Sequence, residues 1–303
     1  MANNLDFSQL EKIMSMEAKK FTPEYMEQLS KSAYKEDREY PENFSNWFPH
    51  IKNIGTFNMA DVISNQIFTW EECEIMQETD DINKVNWDKI NEILKPTLDK
   101  MERYQIYSIK NGCFSNKFEF NTCLATRDNL AEQLWKINYQ SSMFETGGYT
   151  ELVVRKYIPD DIQHCLTIYN GMPLRTEVRV FYNMETKKIE YLVDYWNYEY
   201  CHNSLHTLND KLIFDIFHNK IEKVDVTLHE LEYNRIAKII EEKINTLEFD
   251  GELEGIWSID FMYDEWTNKI YLIDMARGFR SAYWDINKLS SLTREKLLQE
   301  KNK

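Results

Sequence analysis

Apolar and polar residues alternate along several stretches of the chain, with the two-residue period of β-strands. The clearest stretch, Gly255 to Gly278, has two arms rich in aromatic and β-branched residues, separated by turn-forming residues, and it predicts a β-hairpin. Thr176 to Phe181 and Ile189 to Tyr195 alternate across a short turn and predict a second strand pair. Tyr104 to Ile109 and Tyr149 to Pro159 predict further strands.

Other stretches repeat their apolar residues with the 3.6-residue period of helices. Residues 1–40 carry two such stripes, and Thr22-Pro23 between them has the form of a helix start. Thr126 to Tyr139 predicts a short helix, and Thr227 to Leu247, which begins with a capping-box pattern, predicts a long one. The buried stripe expected for the long helix comprises Leu228, Leu231, Ile236, Ile239, Ile240 and Ile244.

Composition narrows the class of protein. A chain of 303 residues with 43% hydrophobic and 29% charged residues is typical of a globular protein of two or three lobes. The net charge of −15 argues against a general nucleic-acid binder, although a local basic pocket for a phosphate ligand is compatible with it. There is no apolar run of membrane-spanning length, no signal-peptide pattern and no Cys-x-x-Cys among the five cysteines. We therefore expect a cytoplasmic protein with reduced thiols and without nucleic-acid or membrane partners.

Two acids stand on the predicted hairpin, Asp260 on the first arm and Asp274 on the second. If Glu265 to Lys269 form a five-residue loop, these carboxylates lie directly opposite each other and repel. A hard cation such as Mg²⁺, which prefers oxygen ligands, would offset that repulsion. The alternative is a pair of exposed acids on a solvated face of the sheet.

Lys110 ends a predicted strand and is followed by a polar loop, residues 111–116, which we expect to be flexible, and then by Lys117. Backbone N–H groups of such a loop and an ammonium group both favour anions, so this stretch is a candidate phosphate cradle, although it is not a Walker A loop. The alternative is an ordinary surface hairpin with solvated lysines.

Further basic residues stand on the other predicted strands. Arg155 and Lys156 are adjacent at a strand end, so normally only one of them faces a given pocket. Glu177 and Arg179 share one face of their strand, with valines on the other.

The stretches YTELVVRKYIP, TEVRVFYN and WSIDFMYDEWTNKIYLIDMARG, with FSNWFPHI upstream, resemble the cell division cycle protein 123 family, a divergent group of the ATP-grasp fold. The resemblance covers roughly residues 44–280. It implies an α+β, ATP-grasp-like fold, in which two α+β lobes hold the nucleotide between them, plus a helical N-terminal region. We expect an N-terminal helical and pre-domain region at 1–103, the small lobe at 104–158, and the large lobe with a C-terminal helix at 159–303.

The resemblance also implies roles for single residues. Lys110 and Arg179 would contact the ATP phosphates and are the candidate catalytic residues. Either Arg155 or Lys156 would face the nucleotide, the backbone of Lys156, Tyr157 and Ile158 would read the adenine edge, and Asp260 and Asp274 would hold Mg²⁺. With Lys117 from the phosphate cradle, these residues complete the candidate site.

One position departs from the family pattern. After the second acid the family usually has Asp-x-Asn, whereas this chain has Asp274-Met275-Ala276, and alanine cannot ligate a metal. Either a second metal position is lost, or Arg277 or a water molecule compensates, or catalysis is impaired.

Two functions follow from the resemblance. The first is an ATP-dependent ligase that activates a carboxylate as an acyl phosphate for attack by an amine, with a protein or peptide among the candidate substrates. The second is an ATP-binding assembly factor or chaperone-like protein with little or no turnover, which Ala276 favours slightly. A structural protein without a ligand is the remaining alternative.

Overall fold

The computed structural model describes residues 22–144, 149–159, 165–220 and 227–301. The helix expected over residues 1–40 is described from its second stripe onward, and it begins after Thr22 as predicted. The helices are α1 (Pro23–Arg38), α2 (Phe44–Trp47), α3 (Trp70–Met76), α4 (Trp87–Leu98), α5 (Leu130–Met143), α6 (Tyr198–Cys201), α7 (Leu208–Phe217), α8 (Leu228–Lys243) and α9 (Ser291–Lys301). The strands are β1 (Ile51–Asn53), β2 (Val62–Ile67), β3 (Tyr107–Lys110), β4 (Leu124–Ala125), β5 (Glu151–Lys156), β6 (Thr167–Ile168), β7 (Met172–Pro173), β8 (Glu177–Asn183), β9 (Lys188–Asp194), β10 (Glu248–Phe249), β11 (Ile256–Asp264) and β12 (Lys269–Arg277).

A four-stranded antiparallel sheet with the order β2-β5-β3-β4 forms the smaller of the two main layers. One face of it, with Tyr107 and Ile109 on β3, packs on the core built by α3, α4 and α5. Because side chains alternate along a strand, Ser108 and Lys110 point to the opposite face. That face turns toward the second sheet.

The second sheet is also four-stranded and antiparallel, with the order β12-β11-β8-β9. Val178 and Val180 of β8 are fully buried on one face, in the core that includes residues of α8. The same alternation sends Glu177 and Arg179 to the other face, as the sequence predicted. The pairing of β8 with β9 also confirms the predicted strand pair.

The predicted long helix is present as α8, and the Thr227 side chain caps it by accepting a hydrogen bond from the Glu230 N–H, 3.0 Å away. The predicted buried stripe is wrong at its start, because Leu228 and Leu231 are 79% and 56% exposed. The buried face instead carries His229 in the first turn, at 6% exposed, and then Ile236 and Ile240, which are fully buried. Periodicity placed Ile236 and Ile240 correctly, but residue type misplaced the stripe at the start of the helix, where His229 rather than a leucine faces the interior.

The predicted hairpin is formed by β11 and β12, and Asp260 lies opposite Asp274 as expected. The predicted five-residue loop is wrong, because Lys269 already pairs with Asp264 and the loop has one residue fewer. A β-bulge at Ile273 shifts the register by one residue and brings the two acids back into opposition.

The chain is thus of the predicted α+β class, with strands and helices gathered around two separate sheets. The division at residues 103 and 158 stays a prediction, and the small sheet draws its strand β2 from before residue 104. Within the described ranges, no helix combines the length and apolar character needed to cross a membrane.

Candidate functional site

A cavity of about 200 Å³ lies between the two sheets and gathers nearly all of the predicted site. The predicted residues that line it are Lys110, Lys117, Arg155, Lys156, Tyr157, Ile158, Asp260 and Asp274. Arg179 is the exception, because its side chain lies behind Asp260 and reaches the cavity only through that carboxylate. The apolar part of the lining comprises Ile109, Phe120, Met172, Pro173, Met262 and Leu272.

The two opposed acids are each bonded to a cation of the chain. Arg179 holds Asp260 with two parallel hydrogen bonds, Nε to Oδ1 and Nη2 to Oδ2, both 2.7 Å long. The Lys110 Nζ lies 2.8 and 3.0 Å from the two oxygens of Asp274. The repulsion expected between the acids is therefore offset here by two side chains from other strands.

Strand register explains the first of these pairs. Asp260 on β11 lies between two ladder neighbours, Asp274 on β12 and Arg179 on β8, so that cation and acid are side by side on one face of the sheet. Burial by itself lowers the pKa of Arg179, but the Asp260 carboxylate more than offsets this and raises the pKa above its ordinary value. The guanidinium is therefore charged at any physiological pH.

Lys110 reaches Asp274 from the opposite wall, at the end of β3, and is only 2% exposed. The loop after it is not the flexible polar loop that we expected. Asn111 and Phe114 close a tight turn with two backbone hydrogen bonds of 3.2 Å, and the Asn111 amide donates to Asn138 of α5, 2.9 Å away. Burial also raises the pKa of the Cys113 thiol to about 11, so this thiol is neutral at physiological pH. Packing against α5 fixes a stretch that is polar in sequence.

Lys117 follows that loop and contacts a residue that the sequence analysis did not select, Tyr195. The Lys117 ammonium bonds the Tyr195 hydroxyl and lies 4.6 Å from the centre of its ring, while the Arg179 guanidinium lies 4.8 Å from the same centre. Tyr195 directly follows β9, and its N–H bonds the Glu177 carbonyl. Aromatic rings attract cations, so Tyr195 holds two of the basic side chains beside the cavity.

The structure separates the adjacent residues Arg155 and Lys156. Arg155 reaches across to the second sheet and donates to the carbonyl of the bulged residue Ile273 over 2.6 Å. Lys156 is about half exposed and lies 3.6 Å from Asp61 at the edge of the cavity. Arg155 is thus the one whose charge is buried between the sheets.

The backbone after β5, expected to read an adenine edge, already has several partners. The Lys156 N–H donates to the Asp61 carbonyl, and the Tyr157 N–H donates to the Ile106 carbonyl. The Ile158 carbonyl accepts a hydrogen bond from Arg175 over 2.7 Å. The Ile158 N–H has no bonding partner among the residues that the structure describes. This segment therefore has fewer free backbone groups to offer a base than we expected.

Glu177 is the acidic group of the cavity that the sequence analysis gave no role. It is 6% exposed, and burial, with the nearby Asp260 carboxylate as a second cause, raises the pKa of Glu177 to about 7. In sequence, Glu177 lies between Arg175, which donates to the Ile158 carbonyl, and Arg179, which donates to Asp260. The signal was present in the sequence, since Glu177 was placed on the same face as Arg179.

The two carboxylates of the acid pair suit a cation that takes only a few of its ligands from the protein. Carboxylates are the ligands that Mg²⁺ prefers, and Asp260 and Asp274 are adjacent across the ladder. In the described part of the chain, no group of three or more His, Cys, Asp or Glu residues could hold a metal ion. Mg²⁺ at this place would take its remaining ligands from a substrate and water, as it commonly does.

Neither a known protein family nor a curated protein matches the sequence. Among solved structures, the chain is similar to Cdc123 from Schizosaccharomyces pombe, at 12% sequence identity and a TM-score of 0.44, covering 83% of this chain and 92% of that one. A C-terminally truncated Cdc123 from the same organism gives 12% identity and a TM-score of 0.45, with coverage of 82% and 90%.

The chain is also similar to D-alanyl-alanine synthetase A from Vibrio cholerae, at 13% identity and a TM-score of 0.29, covering 80% of this chain and 59% of that one. The resemblance expected from the sequence is thus found again in these structures. This structural similarity is not used to assign a function. The functional proposal is based on the cavity described above.

Proposed function

We propose that the cavity between the sheets binds ATP with Mg²⁺. One observation carries the proposal: two opposed acids at one cleft are each neutralised by a cation of the chain, Asp274 by Lys110 in the lining and Asp260 by Arg179 behind it. Both kinds of charge suit the same ligand, because a triphosphate needs cations and its Mg²⁺ needs carboxylates. In the bound state Lys110 and Arg179 would turn from the carboxylates to phosphate oxygens, and Asp260 and Asp274 would hold the metal.

Such an exchange of partners also accounts for the small size of the cavity. At about 200 Å³ it is below the roughly 300–1,000 Å³ of most ligand pockets. The pair between Lys110 and Asp274 bridges the two sheets across it. Breaking this bridge would widen the cleft and admit the nucleotide. The proposed lobes at 104–158 and 159–303 would then close on it.

The remaining lining groups fit the other parts of a nucleotide. Side chains such as Phe120 and Met262 offer an apolar surface for a base, next to the Ile158 N–H as a donor. Glu177 lies between this end and the acid pair, where a carboxylate would accept hydrogen bonds from the hydroxyls of a sugar. Base, sugar and phosphates would then lie in turn beside Ile158, Glu177 and the acid pair.

We further propose that the protein is a ligase, and that it acts in the cytoplasm. Bound ATP with Mg²⁺ would supply a phosphoryl group that activates a carboxylate for attack by an amine, with a protein or peptide among the candidate substrates. Lys110 and Arg179 would stabilise negative charge on the transferred group, and the buried walls would exclude water. Opposed carboxylates beside a triphosphate are costly unless a metal joins them to it, and that arrangement favours turnover over simple storage.

The test combines binding with turnover. We expect calorimetry to show ATP binding that needs Mg²⁺ and that Lys110→Ala weakens about tenfold or more, because a charge-assisted contact to phosphate is lost. Asp274→Asn should abolish ADP release with pools of carboxylates and amines or with a cell extract. Glu265→Gln, which changes an exposed acid of the same hairpin, is the control and should leave both readings unchanged. If wild type and Lys110→Ala bind ATP equally, the cleft is not the nucleotide site.

The alternative function is an ATP-binding assembly factor with little turnover. It is favoured by Ala276, which stands at the position where the family places a metal ligand and offers no side-chain oxygen there. ATP that stays bound but unhydrolysed with every substrate pool would decide for this alternative. An increase in turnover on Ala276→Asn would instead show that one ligand is missing from an active site.

A further inference from the structure

A second cavity, of about 390 Å³, lies away from the cleft between the sheets. Its walls are the segment of residues 56–58, the outer side of α8, and the hairpin at the junction of its loop with β11 and β12. Its volume falls within the range of pockets that bind small molecules. All of its lining residues belong to the described part of the chain.

The charged groups that line this cavity are all positive. They are Arg235 and Lys243 on α8 and Lys269 at the start of β12, and no carboxylate stands in the lining. The sequence has 51 acidic and only 36 basic residues, so a wall with three cations and no acid runs against the overall balance. Like charges around a concave wall raise its electrostatic potential and attract an anion.

The arginine is held in place by its neighbours. Its guanidinium lies 4.8 Å from the centre of the Tyr263 ring, and its Nη2 lies 3.3 Å from Glu232, an acid outside the lining. The Tyr263 hydroxyl in turn donates to the Asn268 side chain over 2.9 Å. A positioned guanidinium offers several donors in a fixed plane, which suits phosphate oxygens.

The two lysines keep their charges free for a ligand. Within the described residues, neither Lys243 nor Lys269 has a carboxylate within 4 Å, although Asp264 is the ladder neighbour of Lys269. Both lysines are exposed, so their stems can adjust to a ligand. Lys243 stands in the last turn of α8, where the helix dipole favours a cation, and this would by itself explain a lysine there. The helix dipole does not explain why Arg235 and Lys269 line the same cavity.

We propose that this cavity is a second anion site, which takes a small phosphate-bearing polyanion. Two lysines that are unpaired within the described residues, and an arginine that shares its charge with Glu232, match a ligand with two or more negative charges, and a concave wall of this volume favours a compact ligand over an extended chain. The site is independent of the nucleotide cleft, because its residues and those of the cleft lining are different.

Pyrophosphate is the probe, and calorimetry in the presence of EDTA is the measurement, since EDTA removes Mg²⁺. The double variant Lys243→Ala/Lys269→Ala should weaken binding about tenfold or more. Lys89→Ala/Lys238→Ala, which removes two exposed lysines outside the cavity, is the control with the same change in charge and should bind like wild type. Lys110→Ala, in the cleft, should retain this binding event as well.

Three results would overturn the proposal. The first is an absence of pyrophosphate binding to wild type at millimolar concentration. The second is equal weakening in both double variants, which would show a general charge effect. The third is loss of all binding in Lys110→Ala, which would assign the pyrophosphate to the cleft. Thermal unfolding of the two double variants should confirm that the fold is retained, as expected for exposed lysines, and Lys110→Ala is used only if its unfolding shows a folded protein.

Discussion

At the scale of single residues, the candidate site is a set of charges whose balance depends on burial. Side-chain type was enough to select Lys110, Asp260 and Asp274, because these residues stand where predicted strands carry charge. Type was not enough for Glu177 or Tyr195. Their importance comes from groups that the fold brings beside them, Asp260 for the first and two cations for the second.

Glu177 makes the stability of the protein depend on pH. Its pKa is raised to about 7 in the folded state, above the ordinary value of 4.5, so the folded state binds the proton more tightly than the unfolded one. The folded state therefore loses stability as the pH rises from about 4.5 to 7, by at most roughly 1.4 kcal/mol per pH unit. Below that window the carboxyl is protonated in both states and causes no loss.

Glu177→Gln should remove this dependence. Measured by urea unfolding between pH 4.5 and 8, the variant should gain stability relative to wild type as the pH rises, and the difference should level off above pH 7. Glu265→Gln, an exposed acid in the hairpin loop, should give no such trend. Parallel curves for wild type and Glu177→Gln would contradict a raised pKa at this carboxyl.

At the scale of elements, periodicity predicted the faces of β8 well and the buried face at the start of α8 poorly. The alternation in β8 correctly separated the valines that enter the core from Glu177 and Arg179. The acid pair of the hairpin was predicted correctly although the loop was not, because the bulge at Ile273 compensates for the shorter loop. A bulge leaves the local pattern of residue types almost unchanged, so sequence alone did not indicate it.

The exposure along α8 gives a direct test of the corrected helix face. Ile240→Ala removes a fully buried side chain and should lower the free energy of unfolding by about 2–5 kcal/mol. Leu231→Ala, on the same helix but 56% exposed, should change it by about 0.5 kcal/mol or less. Urea unfolding at neutral pH measures both. Equal losses would restore the stripe that was predicted from the sequence.

At the scale of the whole molecule, the cleft lies between two cores that are each built mainly on one sheet, although Val153 of β5 enters the core of the second sheet. One core belongs to the small sheet with α3, α4 and α5, and the other to the second sheet with α8. Lys110 and Asp274, which are 164 residues apart in sequence, connect the two across the cavity. A ligand that replaces this contact would hold both cores together.

ATP with Mg²⁺ should therefore stabilise the molecule as a unit. At about 100 times its dissociation constant, a ligand that binds only the folded state adds about 2.7 kcal/mol. For a chain of this size we expect a rise in the unfolding midpoint of about 5 °C in differential scanning calorimetry. EDTA should abolish the rise, and Lys110→Ala should reduce it. An unchanged midpoint at saturating nucleotide would argue against binding in the cleft.

The sequence by itself determined the α+β class, most strand positions, the faces of β8, and most of the charged residues that line the cleft. These features follow from the identity of a residue and from its neighbours within a few positions, because strand and helix periods are local. Tertiary structure alone decided which cation neutralises which acid, where α8 is covered, how Glu177 is buried and where the second cavity forms. Each of these depends on groups that are distant in sequence and that meet only when the sheets pack.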